Sequence, residues 1–153
     1  MRFTSQEEYG LRCLMQLARA PGHRLTIAEI AEHEGLTSAY VAKLLGVLNG
    51  AGLVTSIRGR GGGYRLARDP ASVDLATAME ALDGRLYTND FCGKHAGAEP
   101  VCVHDVNCSI RSLWRSLDAA VQATLVRTTL RDLCGTERTA SARFAAPVPP
   151  PPA

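Results

Sequence analysis

Apolar residues recur at helical spacing in five places along the chain. Leu11, Leu14, Met15 and Ala18 make one stripe over residues 5 to 20, and Pro21-Gly22 stops it. Thr26 and Glu29 form a Thr-x-x-Glu capping box that opens a short second helix, with Ile27, Ile30 and Ala31 as its buried stripe. After the turn Glu34-Gly35-Leu36, Thr37 or Ser38 caps a third helix. Val41, Leu44, Leu45 and Leu48 share one of its faces, and Asn49-Gly50-Ala51-Gly52 ends it. Leu75, Ala78, Met79 and Leu82 predict a fourth helix over 74–82 with Gly84 as its stop. The fifth stripe, Ile110, Leu113, Trp114, Leu117, Val121 and Leu125, predicts a long helix to about Cys134.

Two short helices about a tight glycine turn predict a helix-turn-helix. Its second helix carries Thr37, Ser38, Tyr40 and Lys43 at its N-terminal, solvent-facing side, where a recognition helix meets base edges and phosphates. An ordinary helical hairpin with a wet polar face has the same pattern, so the next stretch decides. Leu53–Ile57 and Tyr64–Ala67 read as two strands around Arg58-Gly-Arg60-Gly-Gly-Gly63. Arg58, Arg60, Arg65 and Arg68 bring four positive charges with no acid before Asp69. A basic hairpin after a helix-turn-helix is a wing suited to phosphate and minor-groove contact. It lacks the Gly-x-x-x-x-Gly-Lys-Ser/Thr spacing of a nucleotide-binding loop.

At 25 residues the fifth helix would be roughly 37 Å long, too long for so small a body to bury, which predicts a homodimer built on that helix. Trp114 lies on its stripe and reads as a packing residue. The expected organisation is mainly α with a small β-hairpin wing. Residues 1–84 form a winged helix-turn-helix DNA-binding domain and 85–109 a cysteine cluster-binding loop. Residues 110–134 form the long dimerisation helix, and 135–153 a disordered tail rich in Pro and Ala.

The chain has 153 residues, a net charge of only +2 and 46% hydrophobic residues, so nucleic-acid contact must come from local clustering. A signal-peptide pattern and an apolar run near eighteen residues are both missing from the sequence, so a cytoplasmic protein with no membrane contact is expected. His-Glu-x-x-His, a nucleophile elbow and a carboxylate pair set for acid–base work are also missing, so no enzyme is expected.

Cys92, Cys102 and Cys108 are separated by nine and five residues. Gly93, Gly97 and Pro100 exclude a regular helix through the first gap, and a loop can fold three thiolates about one point. Soft sulfur ligands favour iron–sulfur clusters, zinc or copper(I). An odd total of five cysteines fits a disulfide framework poorly. Cys13 and Cys134 fall on helices and read as buried small hydrophobes.

The runs Leu36-Thr-Ser-Ala-Tyr-Val-Ala-Lys-Leu-Leu45 and Ala51-Gly-Leu-Val-Thr-Ser-Ile-Arg-Gly-Arg-Gly-Gly-Gly-Tyr-Arg-Leu66 closely resemble the Rrf family of bacterial winged-helix regulators. With the three-cysteine loop before a long helix, the resemblance covers residues 1 to about 134. It implies a dimeric cytoplasmic transcription factor that binds a near-palindromic duplex DNA operator. It also implies a [2Fe–2S] or [4Fe–4S] iron–sulfur cluster on Cys92, Cys102 and Cys108. Ser38, Tyr40 and Lys43 match the recognition helix, and Arg58 and Arg60 the wing. One branch of the family takes a fourth ligand three residues after the last cysteine, where this chain has Arg111. Another borrows an acid from the first helix of the other subunit, and Glu8 occupies that place. Some redox-sensing relatives add a histidine four residues further on, where Arg12 stands here. Glu8 also suits a solvated first-turn acid, His95 and His104 are rival ligands, and the first cysteine gap is longer than in the best-known members. The cluster type stays open. The function expected is a repressor whose DNA affinity the cluster controls by sensing redox state, nitric oxide or iron and cluster status. The alternative is a zinc site or metal-free thiol switch at the same cysteines.

Overall fold

Each of the first three helices begins on a threonine whose hydroxyl accepts a backbone N–H two or three residues into the helix. These are Thr4 for α1 (Ser5–Arg19), Thr26 for α2 (Ile27–Glu34) and Thr37 for α3 (Ser38–Gly50). Glu7 and Glu29 return the bond to the Thr4 and Thr26 amides and complete two capping boxes. The computed structural model describes residues 3–20, 24–88 and 90–145. The expected stop of α1 at Pro21-Gly22 therefore lies outside the described residues.

Between α2 and α3 the chain turns at Gly35, whose φ of 65° lies in the left-handed region that a side chain disfavours. The turn sets α3 across α1 and α2. Leu14 and Leu17 of α1, Ile30 of α2 and Val41, Leu44, Leu45 and Leu48 of α3 close one core. Arg12 and Gln16 on α1 both reach the Glu34 carboxylate at the end of α2, tying the two helices outside that core. The helical and strand periods expected from the sequence hold here, with strand bounds one residue off. The strands β1 (Val54–Ile57) and β2 (Gly63–Leu66) pair antiparallel, Val54 opposite Leu66 and Ile57 opposite Gly63.

After a 3₁₀ turn at Pro70–Ser72 comes α4 (Leu75–Ala81). The left-handed residue that ends α4 is Asp83, at φ 68°, rather than the expected Gly84. Gly84 N–H bonds back to the Met79 carbonyl at 2.8 Å, completing a Schellman closure. Gly93 does not prevent a single helical turn, α5 (Phe91–Lys94), which carries Cys92 and runs two residues into the first cysteine gap.

The long helix is shorter than its apolar stripe predicts. α6 (Ser109–Val126) has 18 residues, about 27 Å, and ends eight residues before Cys134. Two forces break it. Leu130 is fully buried in the core, and Thr129 with Asp132 forms a new capping box that starts α7 (Leu130–Leu133). The connecting strand is stitched to the head of α4: Leu75 N–H donates to Thr128 O at 2.8 Å, and Leu130 N–H to Val73 O at 2.8 Å. Trp114 is 37% exposed on the outer stripe of α6, not packed in the core of its own chain. The expectation of disorder from 135 onward is also corrected. α8 (Glu137–Phe144) is helical, capped by Thr136. Arg143 fastens it by donating to Arg127 O at 2.8 Å and pairing with Asp132 at 3.1 Å. Residues 146–153 of that tail lie outside the described residues.

Candidate nucleic-acid interface and cysteine loop

The N-terminal end of α3 presents exposed Thr37, Ser38 and Lys43. The Thr37 hydroxyl already caps the helix by accepting from Tyr40 N–H at 3.3 Å. Tyr40 is half-buried, its ring packed edge-on against Tyr9 at 5.9 Å, so its apolar body belongs to the α1–α3 contact. Arg58 and Arg60 stand exposed at the tip of the hairpin.

The sequence reading misses one member of this surface. Leu25 pairs with Tyr64 on the free side of β2, with N–H···O distances of 3.0 and 2.8 Å, and adds a one-residue bridge to the wing. That pairing lays Arg24 over Gly61, where a Cβ would come into hard contact with the guanidinium. Arg24 is exposed and joins Arg58 and Arg60 in one basic surface. A lone leucine between Arg24 and a capping threonine carries no strand period, so only the tertiary pairing exposes its role.

Cys92 sits in α5, half-buried. The Tyr87 hydroxyl lies 3.7 Å from its sulfur, and this contact with Cys92 pushes the Tyr87 phenol above its ordinary range. Tyr87 is itself buried, and its backbone N–H donates to Asp118 Oδ1 on α6 at 3.3 Å. The rings of Tyr87, Phe91 and His95 form a ladder, with centroids 5.3 and 4.2 Å apart. His95 Nδ1 is 2.8 Å from the Phe91 carbonyl, so this rival ligand is already tied on one face, whereas His104 is exposed.

Cys102 lies in a turn whose carbonyl accepts from Asp105 N–H at 2.9 Å. Cys108 is the N-cap of α6, its sulfur accepting from Arg111 N–H at 3.3 Å. Arg111 then clasps the loop from the helix side, donating to Asp105 O at 2.6 Å. Glu8 is exposed on the first turn of α1, and among the described residues its carboxylate takes part in no hydrogen bond or ion pair. The neighbouring Glu7 is buried and committed to its cap at the Thr4 amide.

All three loop cysteines are free thiols, which suits thiolate ligation of iron or zinc. Among the described residues, however, no three Cys, His, Asp or Glu side chains converge to hold a metal ion within the single chain. Cys13 is wholly buried, and desolvation pushes its thiol up to about 11, as expected of a structural cysteine. Among the described residues no helix is long and apolar enough to cross a membrane.

Comparison with known proteins agrees with this architecture. The Rrf2 family model, described as an iron-dependent transcriptional regulator, matches residues 3–136. The HTH-type transcriptional regulator IscR of Vibrio cholerae is 31% identical over 134 residues, covering 87% of this chain and 75% of its own. Among solved structures, CymR, the global cysteine regulator of B. subtilis, superposes with a TM-score of 0.70 at 30% identity, over 88% of this chain and 96% of its own. T. potens IscR does so with a TM-score of 0.70 at 26% identity, over 96% and 94%. A winged helix-turn-helix with a basic wing, matched along nearly its whole folded length by such regulators, is a DNA-binding transcriptional regulator and not an enzyme: the chain belongs to the Rrf2 family.

Proposed function

We propose that this protein is a cytoplasmic, homodimeric repressor whose hold on a near-palindromic operator is set by an iron–sulfur cluster at Cys92, Cys102 and Cys108. The observation that carries the reading is the double role of Cys108. Its sulfur belongs to the cysteine loop and also caps α6. A change of state at that sulfur is therefore felt in the first turn of the helix that joins the two subunits. Glu8 of the partner subunit supplies the fourth ligand, since its carboxylate is exposed and, among the described residues, uncommitted. A bound cluster supplies an iron centre that responds to oxidant, nitric oxide or iron supply.

The dimer forms along α6. Ile110, Leu113, Trp114 and Leu117 lie at helical spacing, 37–58% exposed, and present an apolar face that a second copy covers. Each subunit then sets α3 in a major groove through Thr37, Ser38, Tyr40 and Lys43, and its wing against the adjacent backbone through Arg58 and Arg60. Half-sites roughly 34–36 Å apart, or a multiple of this, follow from that two-fold symmetry. For sensing, the loop must be more stable around the cluster in one dimer form than in the other.

The test is anaerobic purification followed by iron and acid-labile sulfide analysis, with DNA affinity measured for holo- and apo-protein. Iron, sulfide and a difference in affinity support the reading; equal affinities remove the sensing role. One observation favours a second reading. The three thiols are free and unconverged, and a similar structure at 28% identity is the oxidised form of Staphylococcus aureus CymR. A colourless protein with no sulfide, whose DNA affinity changes with thiol oxidation, establishes a metal-free switch; stoichiometric zinc establishes a zinc site.

A further inference from the structure

We propose that Trp114 docks in a second copy of this chain, entering a groove beside the C-terminal half of the other α6 and donating its indole N–H to Oε1 of the partner's Glu7. The inference rests on the reading of a dimer along α6 and gives that dimer its register.

The groove has a volume of about 330 Å³ and lies between the start of α1, the end of α4 and the C-terminal half of α6. Phe3, Met79, Leu86, Val121 and Leu125 give it a mostly apolar lining, and Glu7 stands among them. Glu7 is only 7% exposed, and its Oε2 accepts the Thr4 amide. Its Oε1 lies beside Gly84, where a Cβ would stand 2.8 Å away, and among the described residues it accepts no hydrogen bond. That oxygen is not sealed in, since no side-chain oxygen among the described residues is both fully buried and unpartnered. Arg85, at the same groove, is turned to Glu80 and Asp118, with contacts of 3.8 Å each. The groove thus offers an apolar body a seat and a donor one acceptor.

The occupant follows from α6. Trp114 and Val121 are seven residues apart and share one stripe, which is an exposed ridge at its N-terminal end and borders the groove at its C-terminal end. An antiparallel pair with its two-fold axis between Leu117 and Asp118 sets residue 114 of one copy opposite 121 of the other, and 110 opposite 125. Each ridge then meets a groove, twice over by symmetry. A parallel pair sets 114 against 114 and leaves both grooves open. Among Ile110, Leu113, Trp114 and Leu117, only the tryptophan joins a large apolar ring to an N–H. The same approach covers Phe3, which is 80% exposed at the groove.

The assay is the dimer dissociation constant of the full chain in reducing buffer, from sedimentation over a dilution series. Neither Trp114 nor Thr124 belongs to the core, so variants there leave the fold in place. Trp114→Phe keeps a ring and removes the donor. A hydrogen bond to a carboxylate is worth about ten-fold or more, and the dimer holds two, so we expect about a hundred-fold weaker association. Glu7→Gln keeps an acceptor for the Thr4 amide, as a glutamine capping box does, but turns its NH₂ to the indole. In that background Trp114→Phe should cost less than about ten-fold. Thr124→Phe fills the groove from within, leaves the ridge untouched, and should weaken the dimer about ten-fold or more. As the only tryptophan, Trp114 should also shift its emission to shorter wavelength as the wild-type dimer forms. Additive costs for Trp114→Phe and Glu7→Gln, indifference to Thr124→Phe, or an emission unchanged by dimerisation each overturn the proposal and leave the groove to another occupant, such as a small apolar amine. A wild-type chain that stays monomeric removes the α6 dimer as well. A dimer broken by Leu113→Glu with Leu117→Glu but indifferent to the groove variants removes the docking alone.

Discussion

Replacing Cys108 by serine and by alanine separates two roles that one sulfur combines. Both variants lose the proposed cluster ligand, but only serine can still cap α6. The bond at stake is Arg111 N–H to the residue-108 side chain, 3.3 Å in this structure, one of the four N–H groups that a helix start leaves without an internal partner. Serine against alanine at such a position is worth about 1 kcal/mol. Apart from the Arg111 clasp on Asp105, little else supports the first turn of α6: Ile110 is 58% exposed and Leu113 53% exposed. The difference should therefore appear as local fraying more than as global unfolding. At 1.4 kcal/mol per tenfold, 1 kcal/mol corresponds to about a five-fold drop in amide protection for the alanine variant. The assay is hydrogen exchange on apo-protein, read at the amides of Arg111, Ser112 and Leu113, with those of α3 as internal reference. Equal protection in the two variants would refute the cap. Unequal protection with equal DNA affinity would show that the first turn of α6 does not communicate with the reading heads.

Further outcomes follow from the same geometry. Arg24→Ala, Arg58→Ala and Arg60→Ala should each weaken DNA binding and lower the slope of log affinity against log salt by about 0.9 per lost phosphate contact, measured by anisotropy titration; an unchanged slope for Arg24→Ala would remove it from the interface. Leu113→Glu with Leu117→Glu should convert dimer to monomer in analytical ultracentrifugation, since charge on the exposed face of α6 opposes its burial. Gly10→Ala and Gly46→Ala should move stability in opposite directions in urea unfolding at one protein concentration. A Cβ at Gly46 meets nothing within 4 Å and gains about 1 kcal/mol of helix propensity, while at Gly10 it lies 2.6 Å from Leu82 Cδ1 and 3.1 Å from Cγ, a clash costing about 1–3 kcal/mol. Burial works against the charge on Asp74 and Asp132, but the donors of Thr77 and Thr129 outweigh it and hold both below the ordinary carboxylate range. The stability they contribute is present above about pH 4 and is lost as pH falls through their lowered values, so Asp132→Asn should flatten the acid limb of the urea midpoint.

How much of this was legible beforehand depended on whether the signal was local. The Thr26–Glu29 box, the Gly35 turn and the leucine stripe of α3 act within a few residues, and each appears in the structure as read. The end of α6 did not follow from its stripe, because Leu125 and Leu130 continue an apolar pattern through the break. The missed clue was local all the same: Thr129 and Asp132 stand at capping-box spacing, like Thr26 and Glu29. α8 was obscured by the proline run beyond it. Arg24 and Tyr87 could not be found from spacing, because Gly61 and Asp118 meet them from other parts of the chain. Convergence of the three thiols is illegible for a different reason: nothing within one chain compels those sulfurs to meet.

The stitching of residues 128–130 into the head of α4 lodges that end of α6 in the DNA-reading body, as a pivot would be, while the Cys108 end runs straight into the cysteine loop. A rod of about 27 Å turned by about 5° about such a pivot carries its far end roughly 2 Å. In the proposed dimer, a 2 Å rearrangement among the sulfurs would therefore be enough to rotate one reading head against the other, with no helix melted and no core residue displaced.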